Sequence, residues 1–125
     1  MSFCTAINCI DGRIQLPVIS YLQERFDVEY VDILSEPGPN LLLARDVDST
    51  AVDLLFKGLQ ISIDSHNSVG IAIVGHHDCL GNPSPREEQV LHLGEAVSVL
   101  RRRYSEQTII ALWVDEEWRV HELTL

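Results

Sequence analysis

The sequence predicts an α/β fold: a mostly parallel four- to five-stranded sheet with helices on both faces and an antiparallel last strand. Three observations predict it. Short β-prone apolar runs alternate with longer stretches whose apolar residues recur at helical spacing. The first run is apolar nearly throughout, as a strand covered on both faces is. The last run alternates, which suits an antiparallel sheet edge. The resulting order, β-α-β-α-α-β-α-β-β, folds as parallel strands joined by helical crossovers.

The first strand spans Phe3 to Asn8. Pro17 suits the first turn of a helix, and Val18, Ile19, Leu22 and Phe26 follow at helical spacing. Val28 to Ile33 is a second strand, ended by Glu36-Pro37-Gly38-Pro39-Asn40, a stiff loop in which two prolines flank a glycine. Leu41 to Arg45 reads as a helical turn or short helix. Asp48, Ser49 and Thr50 offer N-caps for the next helix, with Val52, Leu55, Phe56, Leu59 and Ile63 as its core face and an end near His66-Asn67-Ser68.

Ile71 to Val74 is the third strand, and Gly75 permits a sharp turn after it. Ser84, Pro85 and Glu87 read as N-cap, first helical residue and capping-box acid of a helix with the stripe Val90, Leu93, Val97, Leu100 and Tyr104. Arg101, Arg102 and Arg103 favour its carboxyl-terminal dipole. Thr108 to Val114 is the fourth strand. Asp115-Glu116-Glu117 turns into the last, Trp118 to Leu123.

Right-handed crossovers put the second strand on one side of the first and the third on the other. The first and third strands then meet at a switch point, where open α/β sheets bind ligands at their carboxyl ends. Cys9 and the Gly75-His76-His77-Asp78-Cys79 stretch both lie there.

The 125 residues read as a single domain, 1–125, large enough for a core of its own. Nine basic residues against 19 acidic ones give a net charge of −10, which disfavours nucleic acid and anionic membranes as partners. The chain starts with neither signal-peptide nor transit-peptide features, and no apolar run approaches the ~20 residues of a membrane helix. A cytoplasmic protein is expected. Leu41-Leu42-Leu43, Trp113 and Trp118 read as an exposed patch suited to a homodimer or higher homo-oligomer.

Three cysteines in a reducing compartment are ligands or catalysts more readily than staples. Cys4, mid-strand, reads as a buried small hydrophobe. Cys9 and Cys79 sit instead in polar, turn-forming sequence. Zn²⁺ takes Cys sulfur and His nitrogen, and a catalytic zinc keeps three protein ligands and one open position, which Cys9, His76 and Cys79 would supply. His77 reads as a solvent-facing neighbour and the obvious substitute ligand. Asp11 and Arg13 are either a surface ion pair or a dyad in which Arg13 orients and ionises an acid beside the metal. No dinucleotide or P-loop glycine pattern is present, Cys9-x-x-x-Arg13 is too short for a cysteine phosphatase loop, and a redox pair would need Cys9 close to Cys79. His66, His92 and His121 show no evident partners.

Cys9-x-Asp11-x-Arg13 followed by Gly75-His76-x-x-Cys79 resembles the signature pair of the β-class carbonic anhydrases. The likeness spans roughly Phe3 to Tyr104 and rests on about five residues. It implies Zn²⁺ held by Cys9, His76 and Cys79, with Asp11 and Arg13 as the catalytic dyad. It also implies hydration of CO₂ to bicarbonate by a zinc-bound hydroxide. The chain departs from the family in several places. Gly12 stands where a serine is usual, Leu80-Gly81-Asn82-Pro83 replaces a Gly-Gly, and the Arg-Asn-Ala-Gly loop is missing. The family's N-terminal arm and pocket glutamine have no counterpart among these residues. The resemblance therefore describes a short, divergent member. Action on carbonyl sulfide or carbon disulfide, zinc binding without catalysis, and a metal-free thiol module remain as alternatives.

Overall fold

The computed structural model describes all of residues 1–125. β1 (Phe3–Asn8) leads through a 3₁₀ turn (Gly12–Ile14) into α1 (Gln15–Arg25) and β2 (Tyr30–Ser35). Two helices follow, α2 (Pro39–Arg45) and α3 (Thr50–His66), and then β3 (Ile71–His76). The chain closes with α4 (Arg86–Arg103), β4 (Ile109–Val114) and β5 (Val120–Leu123). The five strands form one sheet in the order β2-β1-β3-β4-β5, parallel except for β4–β5. β1 and β3 are neighbours, as crossover handedness requires.

The strand pleat sends alternate residues to two apolar layers. Ile7, Ile71, Ile73 and Ala111 pack with Leu43 of α2, Leu59 of α3 and Leu93 of α4. Cys4, Ala6, Ala72, Val74 and Leu112 pack with Val18 and Leu22 of α1 on the other face. Burying such a Leu or Ile contributes ~1.5–3 kcal/mol, so the layers hold the strand ends in register.

Local signals decided some boundaries and failed at others. Ser49 caps α3 by accepting the Val52 N–H at 3.3 Å, and Asn67 ends that helix in the left-handed region. α2 begins earlier than expected, at Pro39, a residue tolerated in a first helical turn. β2 starts two residues later than its apolar run suggested, at Tyr30. The capping box at Ser84 does not form. Pro85 is extended (φ −67°, ψ 168°) and is itself the N-cap of α4, without a side-chain cap. The inward stripe of α4 also differs: Gln89 and His92 are buried beside Leu93, Val97 and Leu100, whereas Val90 is only half-buried.

β5 starts at Val120 because Trp118 takes φ 61° inside the preceding turn, where it cannot continue a strand. Asp115 holds that turn by accepting the N–H groups of Glu117 at 2.9 Å and Arg119 at 3.0 Å. Trp113 and Leu43 are buried in the core rather than exposed for an interface, since β4 lies between β3 and β5 and α2 packs on the sheet. No helix is long and apolar enough to cross a membrane.

Candidate metal centre

Cys9 follows the last residue of β1, His76 is the last residue of β3, and Cys79 lies in the turn just beyond. Adjacency of the two parallel strands brings them together at the carboxyl edge of the sheet. Their ligand atoms lie within 4.8 Å of one another, and all three residues are buried. The two Sγ atoms are 3.8 Å apart. Two Zn–S bonds of ~2.3 Å at a tetrahedral angle span about 3.8 Å, so the spacing is that of a chelating pair.

The imidazole is set for the same purpose. His76 Nδ1 contacts the His77 carbonyl oxygen at 2.7 Å, which fixes the proton on Nδ1 and leaves the lone pair on Nε2. That Nε2 is buried with no partner outside the cluster, only the Cys9 sulfur lying beside it. A buried polar atom without a partner costs ~1–3 kcal/mol unless something satisfies it. A cation between the sulfurs and Nε2 would do so, and the residues present fit one.

The sulfurs sit among backbone donors. Asn82 N–H donates to Cys79 Sγ at 3.3 Å, and the backbone N–H groups of Gly38 and Asp11 point at Cys9. The hydrogen bond from the Cys79 thiol outweighs burial and holds the Cys9 thiol well below the ordinary thiol range. The same shared proton, with burial, pushes Cys79 well above the ordinary thiol range. Either sulfur is able to donate across the 3.8 Å contact, and metal binding would displace that proton.

Two loops close against each other beside the sulfurs. Gly38 lies at φ +56°, and a Cβ there would sit 2.5 Å from the Gly81 carbonyl carbon. Only glycine permits both that conformation and that approach.

Asp11 caps the 3₁₀ turn. Its Oδ1 accepts from the backbone N–H of Arg13 at 2.9 Å and from Nε at 3.0 Å, and its Oδ2 accepts from Nη2 at 2.7 Å. The hydrogen bond from Arg13 holds the Asp11 carboxyl down to about 2. Arg13 is gripped in turn by Asp78, through Oδ2 and the carbonyl oxygen at 3.2 Å each, and its guanidinium lies 4.4 Å from the Trp118 ring centre. Asp11 is not part of the Cys9–His76–Cys79 cluster, and both its oxygens face Arg13. A surface depression borders Cys9, Asp11, Arg13, Pro37, Leu80 and Gly81.

His77 is exposed, outside the cluster, with its ring against Trp118. The other histidines do have partners: His66 with Asp32, His121 with Asp115 and His92 with Asn82. Sequence reasoning missed Asp78, Trp118 and the amides Asn40, Asn82 and Gln89. For Gln89 a signal existed, a polar residue at the inward i, i+4 spacing of Leu93 and Val97. Trp118 carried none, because its contact joins the two ends of the chain.

The family model described as "putative carbonic anhydrase" matches residues 1–124. Among solved structures, the chain is similar to the β-carbonic anhydrase CafD of the filamentous fungus Aspergillus fumigatus. The identity is 15% over 99% of this chain and 90% of that one, with a TM-score of 0.65. It is similar also to one of two tetrameric β-carbonic anhydrases from the ascomycete Sordaria macrospora, at 14% identity over 98% and 80% of the two chains and a TM-score of 0.61. A carbonic anhydrase from Glaciozyma antarctica matches at 12% identity over 97% and 81%, again with a TM-score of 0.61. No curated protein matches the chain. At these identities the structural likeness establishes the fold, which is that of the β-carbonic anhydrases. With the family model matched over nearly its whole length, the chain belongs to this carbonic anhydrase family.

Proposed function

We propose that this chain acts as one carbonic-anhydrase-like domain that binds Zn²⁺ through Cys9, His76 and Cys79 and hydrates CO₂ to bicarbonate, with Asp11 and Arg13 as its catalytic pair. One observation carries the reading: two sulfurs 3.8 Å apart beside a buried imidazole nitrogen whose lone pair has no other partner. Zinc in such a set supplies Lewis acidity, lowering the pKa of water toward ~7.

The chain's own groups do the rest. Arg13 occupies both Asp11 oxygens, which keeps the carboxylate off the sulfur cluster, so a metal held by Cys9, His76 and Cys79 would stay open to water. Ionised Asp11 only accepts hydrogen bonds, so a water donating to it turns a lone pair toward the depression. Pro37 and Leu80 line that depression with apolar surface, which suits an uncharged linear substrate. Leu80 is 94% and Ile10 62% exposed beside the mouth, and one of the similar fungal enzymes is described as tetrameric. On that basis the chain is a homo-oligomer, which sedimentation would read directly.

The test is metal content followed by stopped-flow hydration. Protein purified without chelators should carry one zinc per chain and accelerate CO₂ hydration. Zinc without acceleration would reduce the chain to a metal-binding relative. Absence of zinc, with all thiols titratable, would overturn the proposal altogether.

A further inference from the structure

Behind the sulfur cluster lies a polar network inside an otherwise apolar layer. Gln89, 1% exposed on α4, donates Nε2 to three carbonyl oxygens: His76 at 2.9 Å, Asn82 at 3.2 Å and Ser84 at 3.2 Å. The first two bracket the loop that carries His76 and Cys79. The Asn82 N–H at the end of the loop is also the one that donates to Cys79 Sγ.

The three carbonyls determine every orientation downstream. Because a carbonyl only accepts, the Gln89 amide must present Nε2 to them and Oε1 to Asn40. Asn40 then donates Nδ2 to Gln89 Oε1 at 3.2 Å and turns Oδ1 to Asn82, whose Nδ2 reaches it at 3.2 Å. The same Asn82 Nδ2 lies 3.0 Å from His92 Nδ1, which accepts from it. Gly75 makes room for all this: a Cβ there would sit 2.8 Å from Asn40 Nδ2 and 3.0 Å from Gln89 Oε1.

We propose that Gln89 is a positioning residue for the metal centre, holding both ends of the His76–Asn82 loop so that the imidazole and Cys79 meet Cys9 at ligating distance. The inference rests on the reading of Cys9, His76 and Cys79 as zinc ligands. Supporting contacts behind metal ligands typically change metal affinity 10–100-fold when removed.

The test measures zinc affinity by competition with a chromophoric chelator and the visible absorption of the Co²⁺ form, so it needs no activity. Gln89→Met keeps the shape and removes the donors. It should weaken zinc binding roughly 10–100-fold and alter the Co²⁺ spectrum. Val97→Ala, one helix turn pair away in the same core, should lower thermal stability and leave zinc affinity within about twofold. Asn40→Ser leaves Gln89 in place but removes both the donor to its Oε1 and the acceptor of Asn82 Nδ2, serves if Gln89→Met does not fold, and should weaken zinc in the same direction. Unchanged zinc affinity in the Gln89 and Asn40 variants overturns the inference, as does equal weakening in Val97→Ala. A wild-type chain that binds no zinc overturns the functional reading itself, and this one with it.

Discussion

Replacing Arg13 by Leu separates the two roles available to the Asp11–Arg13 pair. The substitution removes every guanidinium contact to Asp11 and Asp78 and the stacking on Trp118, but leaves the Arg13 backbone N–H bonded to Asp11 Oδ1. The Arg13 side chain is 46% exposed, so solvent screens its ion pairs and they contribute little to folding. For 125 residues the unfolding entropy is about 0.26 kcal/mol per kelvin, so with the Trp118 stacking also lost Tm should fall by only about a few degrees. Catalysis should respond far more. Asp11 stays ionised at neutral pH even as its carboxyl rises from about 2 toward its ordinary value near ~4, so charge is retained. Orientation is what is lost, and misplacing a catalytic group by ~1 Å lowers rates about 10²-fold. Stopped-flow CO₂ hydration at matched zinc content, beside a thermal melt, makes the comparison. The freed carboxylate is able to turn to the metal, so thiocyanate should also inhibit less tightly. A hydration rate within twofold of wild type at full zinc would refute the argument. So would a Tm lowered by more than ~10 °C, which would make Arg13 a structural residue.

Other expectations follow from single positions. Gly38→Ala puts a Cβ 2.5 Å from the Gly81 carbonyl carbon at φ +56°, so it should destabilise the fold by more than ~1 kcal/mol and lower zinc occupancy; an unchanged melt and metal content would contradict the close packing of the loops. Gly94→Ala, in α4 with nothing within 4 Å of the added Cβ, should stabilise by ~0.5–1 kcal/mol, read as a rise of ~2–4 °C in Tm. His121, followed by the backbone N–H of Arg119, holds the Asp115 carboxyl down to about 2. Its folded value lies below its unfolded one near ~4, so its contribution is present above that pH and lost as pH falls toward 2. Asp115→Asn should therefore flatten the stability profile across this acid range, and an unchanged slope would contradict the assignment.

The sequence alone determined the alternation of strands and helices, and through it the neighbours that matter. Apolar runs and crossover handedness are local and chiral facts, so they placed β1 beside β3 and Cys9 beside His76 and Cys79 without any knowledge of contacts. Caps behaved less regularly. Ser49 served as expected, but Ser84 did not, because its carbonyl was claimed by Gln89 and Pro85 became the cap. Likewise Trp118 lies in a turn rather than a strand because Asp115 gathers the surrounding N–H groups. Tertiary structure alone decided which polar groups meet. Trp118 reaches Arg13 across the length of the chain, and three amides from α2, the His76–Asn82 loop and α4 join behind His76. Beyond the inward spacing of Gln89, such contacts leave no trace of their partners in the sequence, because hydrogen bonds are satisfied by proximity in space and only the folded sheet supplies it.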